Sequence, residues 1–252
     1  MFAQGDTYDS DLDRVVLEAA SRIGSVPDDA HEKLRAALCD DMVTEYDARF
    51  LVDYLEQSPL RFSPLFRETL ERWEEDEVRH HRSFRRIYES CFGAAESVLQ
   101  DRYSDFSAIA HLFEGEFEIL CLLAYDELAT LRGYRGNLPL YDLLGHGLGS
   151  FVRRVIGDEA RHYAGFRAVL LAEHAHRLGE VAGVVARVRT TEGLPYRATF
   201  VLDHDDPVYG DHIFDDAARV LVEQMEKARL RMESERSPAA TAWRQDPLHP
   251  IG

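Results

Sequence analysis

Asp76-Glu77-Val78-Arg79-His80 and Asp158-Glu159-Ala160-Arg161-His162 are one word written twice, 82 positions apart. Both read Asp-Glu-x-Arg-His. On a helix, residues i and i+3 project from one face, a turn apart. Each word therefore offers a carboxylate and an imidazole side by side. A single Glu-x-x-His reads as an ordinary surface pair. Two copies with the same flanking Asp and Arg call for a common purpose.

The surrounding sequence is helical in period. A short helix is expected from Asp11 to Gly24, and a long one from about 28 to Gln57, with Leu34, Leu38, Met42 and Leu51 on its apolar side. Ser63-Pro64 is a cap followed by proline at the first helical position. It opens the helix that carries the first word and ends at Gly93. A third long helix is expected from about 104 to Arg132, with Gly133 as its stop. Residues 133–149 hold Gly133, Gly136, Pro139, Gly145, Gly147 and Gly149 and read as a broken crossover. The fourth helix holds the second word and runs to about Leu178. A further helix is expected from Val181 to Val188, an irregular stretch over 190–212, a last helix over 213–234 and a loosely ordered tail from Glu235. The only repeat is the helix pair itself. These elements predict an all-α chain forming one domain over 1–252, a four-helix bundle at about 28–178 with flanking helices.

An antiparallel helix pair sets two residues level when they lie equally far from its turn. Glu45 lies as far before Arg61 as Glu77 lies after it, an interval of 32 residues. Glu127 precedes Glu159 by the same interval, with its midpoint at Leu143. Glu118 is also tolerable by level alone; the repeated interval favours Glu127. The expected set is Glu45, Glu77, His80, Glu127, Glu159 and His162. Four carboxylates and two imidazoles suit a pair of hard or borderline cations, iron or manganese, in a ferritin-like arrangement. Glu77 and Glu159 would bridge; Glu45 and Glu127 would be terminal. Asp76 and Asp158 are expected to orient the histidines from behind, each paired with its neighbouring Arg79 or Arg161. His81 and Trp73 read as structural.

The chain has 252 residues, 45% hydrophobic and 30% charged, with a formal net charge of −17. That balance speaks against nucleic-acid binding through a general basic surface. No apolar run reaches the length of a membrane span. Three scattered cysteines and an N-terminus without basic and apolar regions predict a reducing, cytoplasmic setting.

Four stretches resemble the soluble acyl carrier protein desaturases. Asp41-Met42-Val43-Thr44-Glu45 is similar to that family's Asp-Met-Ile-Thr-Glu. Trp73-Glu74-Glu75-Asp76-Glu77-Val78-Arg79-His80 resembles its Trp-preceded Glu-Glu-x-Arg-His. Glu127-Leu128-Ala129-Thr130 is similar to Glu-Arg-Ala-Thr, and the second word to Asp-Glu-Lys-Arg-His. The resemblance spans about 38–166 and favours Glu127 over Glu118. It implies two iron ions, molecular oxygen, an external electron donor such as a ferredoxin-like reductant, a fatty acyl chain on acyl carrier protein, and a homodimer. It also implies a threonine in the catalytic site, Thr130, which with Asp158 completes the expected catalytic residues. Tyr46 stands where the family has a second glutamate. A related oxygenase acting on a small natural-product intermediate is the alternative. The related arylamine-type N-oxygenases carry an added histidine one turn before the last glutamate, where this chain has Val155. A storage or binding bundle would usually lack the second histidine. Arg79, Arg82, Arg85 and Arg86 are the expected docking patch for an acidic carrier.

Overall fold

Helix begets helix here because each buries the stripe that its neighbour exposes. The computed structural model describes residues 5–191 and 210–236. Among these, eight α-helices follow in order: α1 (Gly5–Arg22), α2 (Asp28–Gln57), α3 (Pro64–Phe92), α4 (Glu96–Leu99), α5 (Glu116–Tyr141), α6 (His146–Glu173), α7 (Val181–Thr191) and α8 (Asp211–Arg236). No strand occurs among the described residues, and none of the described helices is long and apolar enough to cross a membrane. The expected irregular stretch over 190–212 and the tail from Glu235 lie largely outside the described residues.

Helix α2 packs along α3, and α5 along α6; α3 also meets α6, and α2 meets α5. Four long helices thus close a four-sided bundle. Ser63 starts α3 as expected: its hydroxyl accepts from Phe66 N at 3.1 Å. The same hydroxyl donates to Glu116 Oε1 at 2.9 Å, and His174 Nε2 lies 3.0 Å from that oxygen. The buried Glu116 carboxylate thereby ties the α2–α3 loop, the start of α5 and the end of α6 together. Gly93 ends α3 with φ +93°, a conformation that glycine adopts without strain.

The third long helix departs from expectation at both ends. Residues 106–112 form a 3-10 segment capped by Asp105, which accepts from Ser107 N at 2.9 Å, and α5 starts only at Glu116. It then runs through Gly133, Gly136 and Pro139 to Tyr141. Tertiary burial overrides the local cost of about 1 kcal/mol per glycine. Tyr134 stacks parallel to Phe84 with centroids 5.7 Å apart, and Tyr141 donates to Asp41 Oδ2 at 2.6 Å. Arg135, Gly136 and Pro139 all lie on the exposed side, where the carbonyl that proline leaves free meets water. The broken crossover shrinks to a 3-10 turn, Asp142–Leu144, and Gly145 with φ +112°. A Cβ on Gly145 would stand 2.3 Å from Glu18 Oε1, and Gly147 N donates to Glu18 Oε2 at 2.9 Å. The glycines let α1 cap the start of α6.

Two apolar clusters fill the bundle. One gathers Leu51, Phe66, Trp73, Phe117, Leu120, Phe166 and the faces of α7 and α8. The other gathers Leu38, Met42, Phe84, Tyr134, Phe151 and the inner face of α1. Along each long helix the switch from one cluster to the other falls at the candidate glutamates and histidines.

Ser63→Ala removes a helix cap and one of the bonds holding Glu116. We expect a loss of about 1–2 kcal/mol, read from the urea midpoint at unchanged slope.

Candidate metal centre

Glu45 on α2, Glu77 and His80 on α3, Glu127 on α5, and Glu159 and His162 on α6 meet in one layer between the two apolar clusters. All six are buried. The level-matching holds because both turns lie where the midpoints require: Arg61 falls between α2 and α3, and Leu143 falls within the turn between α5 and α6.

The six side chains form two interlocked groups. Glu45, Glu77, His80 and Glu159 place one ligand atom each within 4.8 Å of one another; so do Glu77, Glu127, Glu159 and His162. Glu77 and Glu159 belong to both, the position a bridging carboxylate needs. His80 Nδ1 lies 3.5 Å from Glu45 Oε2 and 3.4 Å from Glu159 Oε1. His162 Nδ1 lies 3.2 Å from Glu77 Oε1, 3.4 Å from Glu127 Oε2 and 3.0 Å from Glu159 Oε2.

The outer nitrogens are held crosswise. His80 on α3 sets Nε2 3.0 Å from Asp158 Oδ2 of the second word. His162 on α6 sets Nε2 3.1 Å from Asp76 Oδ2 of the first. A carboxylate only accepts, so Nε2 carries a proton in both rings; Nδ1 faces the carboxylates of the layer, protonated in the charged ring and offering its lone pair inward only in the neutral one. Arg161 bonds Asp158 and Arg79 bonds Asp76, as the sequence suggests. Asp158 lies behind the His80 ring, outside the layer of the six side chains. Two donors were missed in the sequence. Trp73 Nε1 donates to Glu127 Oε1 at 2.7 Å, and the Tyr134 hydroxyl donates to Glu45 Oε1. Trp73 lies four residues before Glu77 and Tyr134 seven after Glu127, so helical spacing puts each on the face of the layer. Reading Gly133 as a stop hid Tyr134.

Electrostatics make this layer costly without cations. Burial, with the charges of Glu45 and Glu159, pushes the Glu77 carboxyl well above its usual range. Burial and the Glu127 charge push Glu159 up to about 8. Burial opposes charging of His80 and His162, but the facing carboxylates and their hydrogen bonds outweigh it and raise them to about 9 and about 10. Burial also opposes ionisation of Glu45; the neighbouring Glu77 carboxyl, the charge of His80 and the Tyr134 hydroxyl outweigh it and hold it at about 2. Within the layer, five buried atoms have no hydrogen-bond partner: Glu45 Oε2, Glu77 Oε1, His80 Nδ1, Glu127 Oε2 and Glu159 Oε1. One comes from each of five members of the set, and each is a potential ligand atom. Buried polar atoms left unpaired cost stability unless something supplies the partner. Oxygen and imidazole donors with excess negative charge fit divalent cations, so the layer is compatible with a metal site.

Glu118 is turned elsewhere. It accepts from Arg177 Nη2 at 2.7 Å, and nine helical residues separate it from Glu127, about 13 Å along the axis. Thr130 sits one turn beyond Glu127, part-buried, and is none of the groups that hold the six side chains. His81 Nδ1 faces Met42 O at 2.9 Å, in keeping with a structural role. The arginines of α3 are less available than expected. Arg79 pairs with Asp76, Arg85 with Glu89 and Glu96, and Arg86 with Asp13; Arg82 is exposed.

No protein-family model matches the sequence, no curated protein matches it, and no solved structure matches the fold.

Two outcomes are expected. Glu127→Gln should cut the number of divalent ions bound per chain, measured by elemental analysis, whereas Glu118→Gln should leave it unchanged and lower the melting temperature through Arg177. Second, the metal-free chain should lose stability as pH rises. His80 and His162 have folded values above the ordinary 6.5, so their contribution is full below 6.5 and fades as pH passes about 9 and 10. Glu159 adds the same sign, fading through about 8. Cations need the deprotonated ligands, so the rise in melting temperature on metal loading should widen from pH 6.5 to 9, with protons released to an indicator dye.

Proposed function

We propose that the chain is an oxygen-dependent di-iron oxidoreductase in a ferritin-like bundle, acting on an unactivated C–H bond. The observation that carries this reading is the pair of interlocked groups sharing Glu77 and Glu159, with their unpartnered atoms facing one another between two apolar clusters. When bound there, a pair of irons supplies oxygen activation and takes electrons from an external reductant such as a ferredoxin-like protein.

The residues of this chain do the rest. Glu77 and Glu159 lie where two cations would share them, and Glu45 and Glu127 would each help to hold one. Asp158 and Asp76 keep the His80 and His162 rings in the tautomer that offers Nδ1 inward. Trp73 and Tyr134 fix the outer oxygens of the terminal carboxylates. The apolar clusters on either side keep water from the layer. Thr130, one turn from Glu127, is the candidate for handling a proton at the edge of the site. His80 and His162 together argue for turnover rather than storage. Val155, at the place where an N-oxygenase would carry a further histidine, is buried in the apolar cluster around Phe151.

The resemblance supports desaturation or hydroxylation of a fatty acyl chain on acyl carrier protein, by a homodimer. A second reading, a small natural-product substrate free of any carrier, is favoured by the ion pairs that engage Arg79, Arg85 and Arg86 on the face proposed for docking.

The test is to load the chain with iron, reduce it without oxygen, and admit oxygen with each candidate substrate. We expect an absorbance transient whose decay quickens with the right substrate, and a product lighter by two hydrogens or heavier by one oxygen. Thr130→Val should leave iron content intact and lower product formed per oxygen consumed. Oxygen consumption without any product from acyl or small-molecule substrates would point to storage. Equal turnover of the carrier-bound chain and the free acid, indifferent to Arg82→Glu, would select the small-molecule reading.

A further inference from the structure

The ligand set repeats across the two halves of the chain; its supporting donors do not. Glu45 corresponds to Glu127, Glu77 to Glu159, His80 to His162, and Asp158 and Asp76 exchange places behind the rings. Trp73 lies four residues before Glu77, and the equivalent of Trp73 before Glu159 is Val155. Tyr134 lies seven after Glu127, and its equivalent after Glu45 is Val52. Both valines are buried and have nothing to donate. One terminal carboxylate is thus held by an indole N–H and the other by a phenol O–H, each from outside the repeat.

We propose that Trp73 and Tyr134 make the two cation positions inequivalent, so that the position of Glu127 and His162 fills first and that of Glu45 and His80 second. This rests on the dimetal reading above. Three observations set the order. His162 Nδ1 lies within 3.0–3.4 Å of carboxylate oxygens from Glu77, Glu127 and Glu159, whereas His80 Nδ1 has its nearest two at 3.4 and 3.5 Å. The first position is the more closely drawn before any cation arrives. Next, the Tyr134 hydroxyl bonds the Glu45 carboxylate. A hydroxyl bond to a carboxylate is short and charge-assisted, and it draws charge outward from the oxygen that would face a cation. The Trp73 indole N–H also makes a charge-assisted bond, to Glu127 at 2.7 Å, but as a weaker acid than a phenol it withdraws less charge from that carboxylate. Finally, the supports differ in access. The side chains of His162 and Asp76 are 5% and 20% exposed, those of His80 and Asp158 0% and 8%. A cation coming from solvent meets the His162 side first.

Trp73 and Tyr134 are positioning residues, and their effects should be opposite in one readout. The metal-free full chain is titrated with cobalt(II), followed by calorimetry and by the cobalt absorption bands. The wild type should bind two ions in resolved steps. His162→Ala should remove the tighter step and His80→Ala the weaker. Trp73→Phe should weaken the tighter step about tenfold and bring the steps together, in the range seen for partners behind metal ligands. Tyr134→Phe should tighten only the weaker step. It removes a single oxygen and carries the test alone should Trp73→Phe not fold. Two ions bound in equal steps, or both variants shifting the same step, would overturn this inference and leave the dimetal reading standing. A wild type that binds fewer than two ions would overturn both.

Discussion

Four carboxylates and two imidazoles are buried together in one layer, and the structure is built around that cost. Each ion moved from water into the interior carries a penalty of several kcal/mol after relaxation. The layer meets it in two ways. Outside, the Nε2 atoms of both rings and two of the carboxylates find a donor or acceptor of fixed geometry. Inside, five atoms find none. A bundle that needed these residues only for packing would fill the layer with Leu or Phe, as it does immediately above and below. The unpaired atoms converge, and convergence of like-charged groups is what a cation site requires and what a core avoids.

The duplicated word explains how such precision arises from simple helices. Within one helix, Asp76 and Glu77 are adjacent and cannot face the same way. Glu77 turns to the layer, and Asp76 turns to the neighbouring helix. There it meets His162, while Asp158 meets His80. Each word supplies candidate ligands for its own half and the support for the other half's histidine. The relative rotation and register of α3 and α6 are thereby fixed by one buried and one part-buried hydrogen bond, and Arg79 and Arg161 pair with the aspartates from the solvent side. A slip of one residue in either helix would lose both contacts at once.

The six members of the layer were legible because helix spacing and level-matching are geometric and local. Glu45 and Glu127 followed from equal distances to a turn, and the turns lie at the midpoints. Glu118 could not be dismissed that way, since its alternative midpoint was also in a plausible loop; only the presence of Arg177 beside it shows where its charge is answered. The end of α5 departs from the sequence reading for the opposite reason. Gly133, Gly136 and Pro139 carry strong local signals, and they were outweighed by contacts far away in sequence. Trp73 was visible only as an aromatic on a core face, because nothing in its neighbours shows that Glu127 stands across from its N–H.

Tyr134 and Tyr141 show why that misread segment had to be helical. Asp41 and Glu45 sit one turn apart on α2 and both are buried, so both need partners in the interior. Those partners come from α5: Tyr141 answers Asp41 and Tyr134 answers Glu45. As the number on α2 rises, the number on α5 falls, which is the signature of antiparallel neighbours. Two phenols seven residues apart stand on one face only if the backbone between them stays helical. Had α5 stopped at Gly133, the Glu45 and Asp41 carboxylates would each be buried without a hydroxyl, a loss of the same order as the cost of two helical glycines and an exposed proline. The continuation of α5 and the support of Glu45 are therefore one event: the helix extends because the site's outer oxygen must be held.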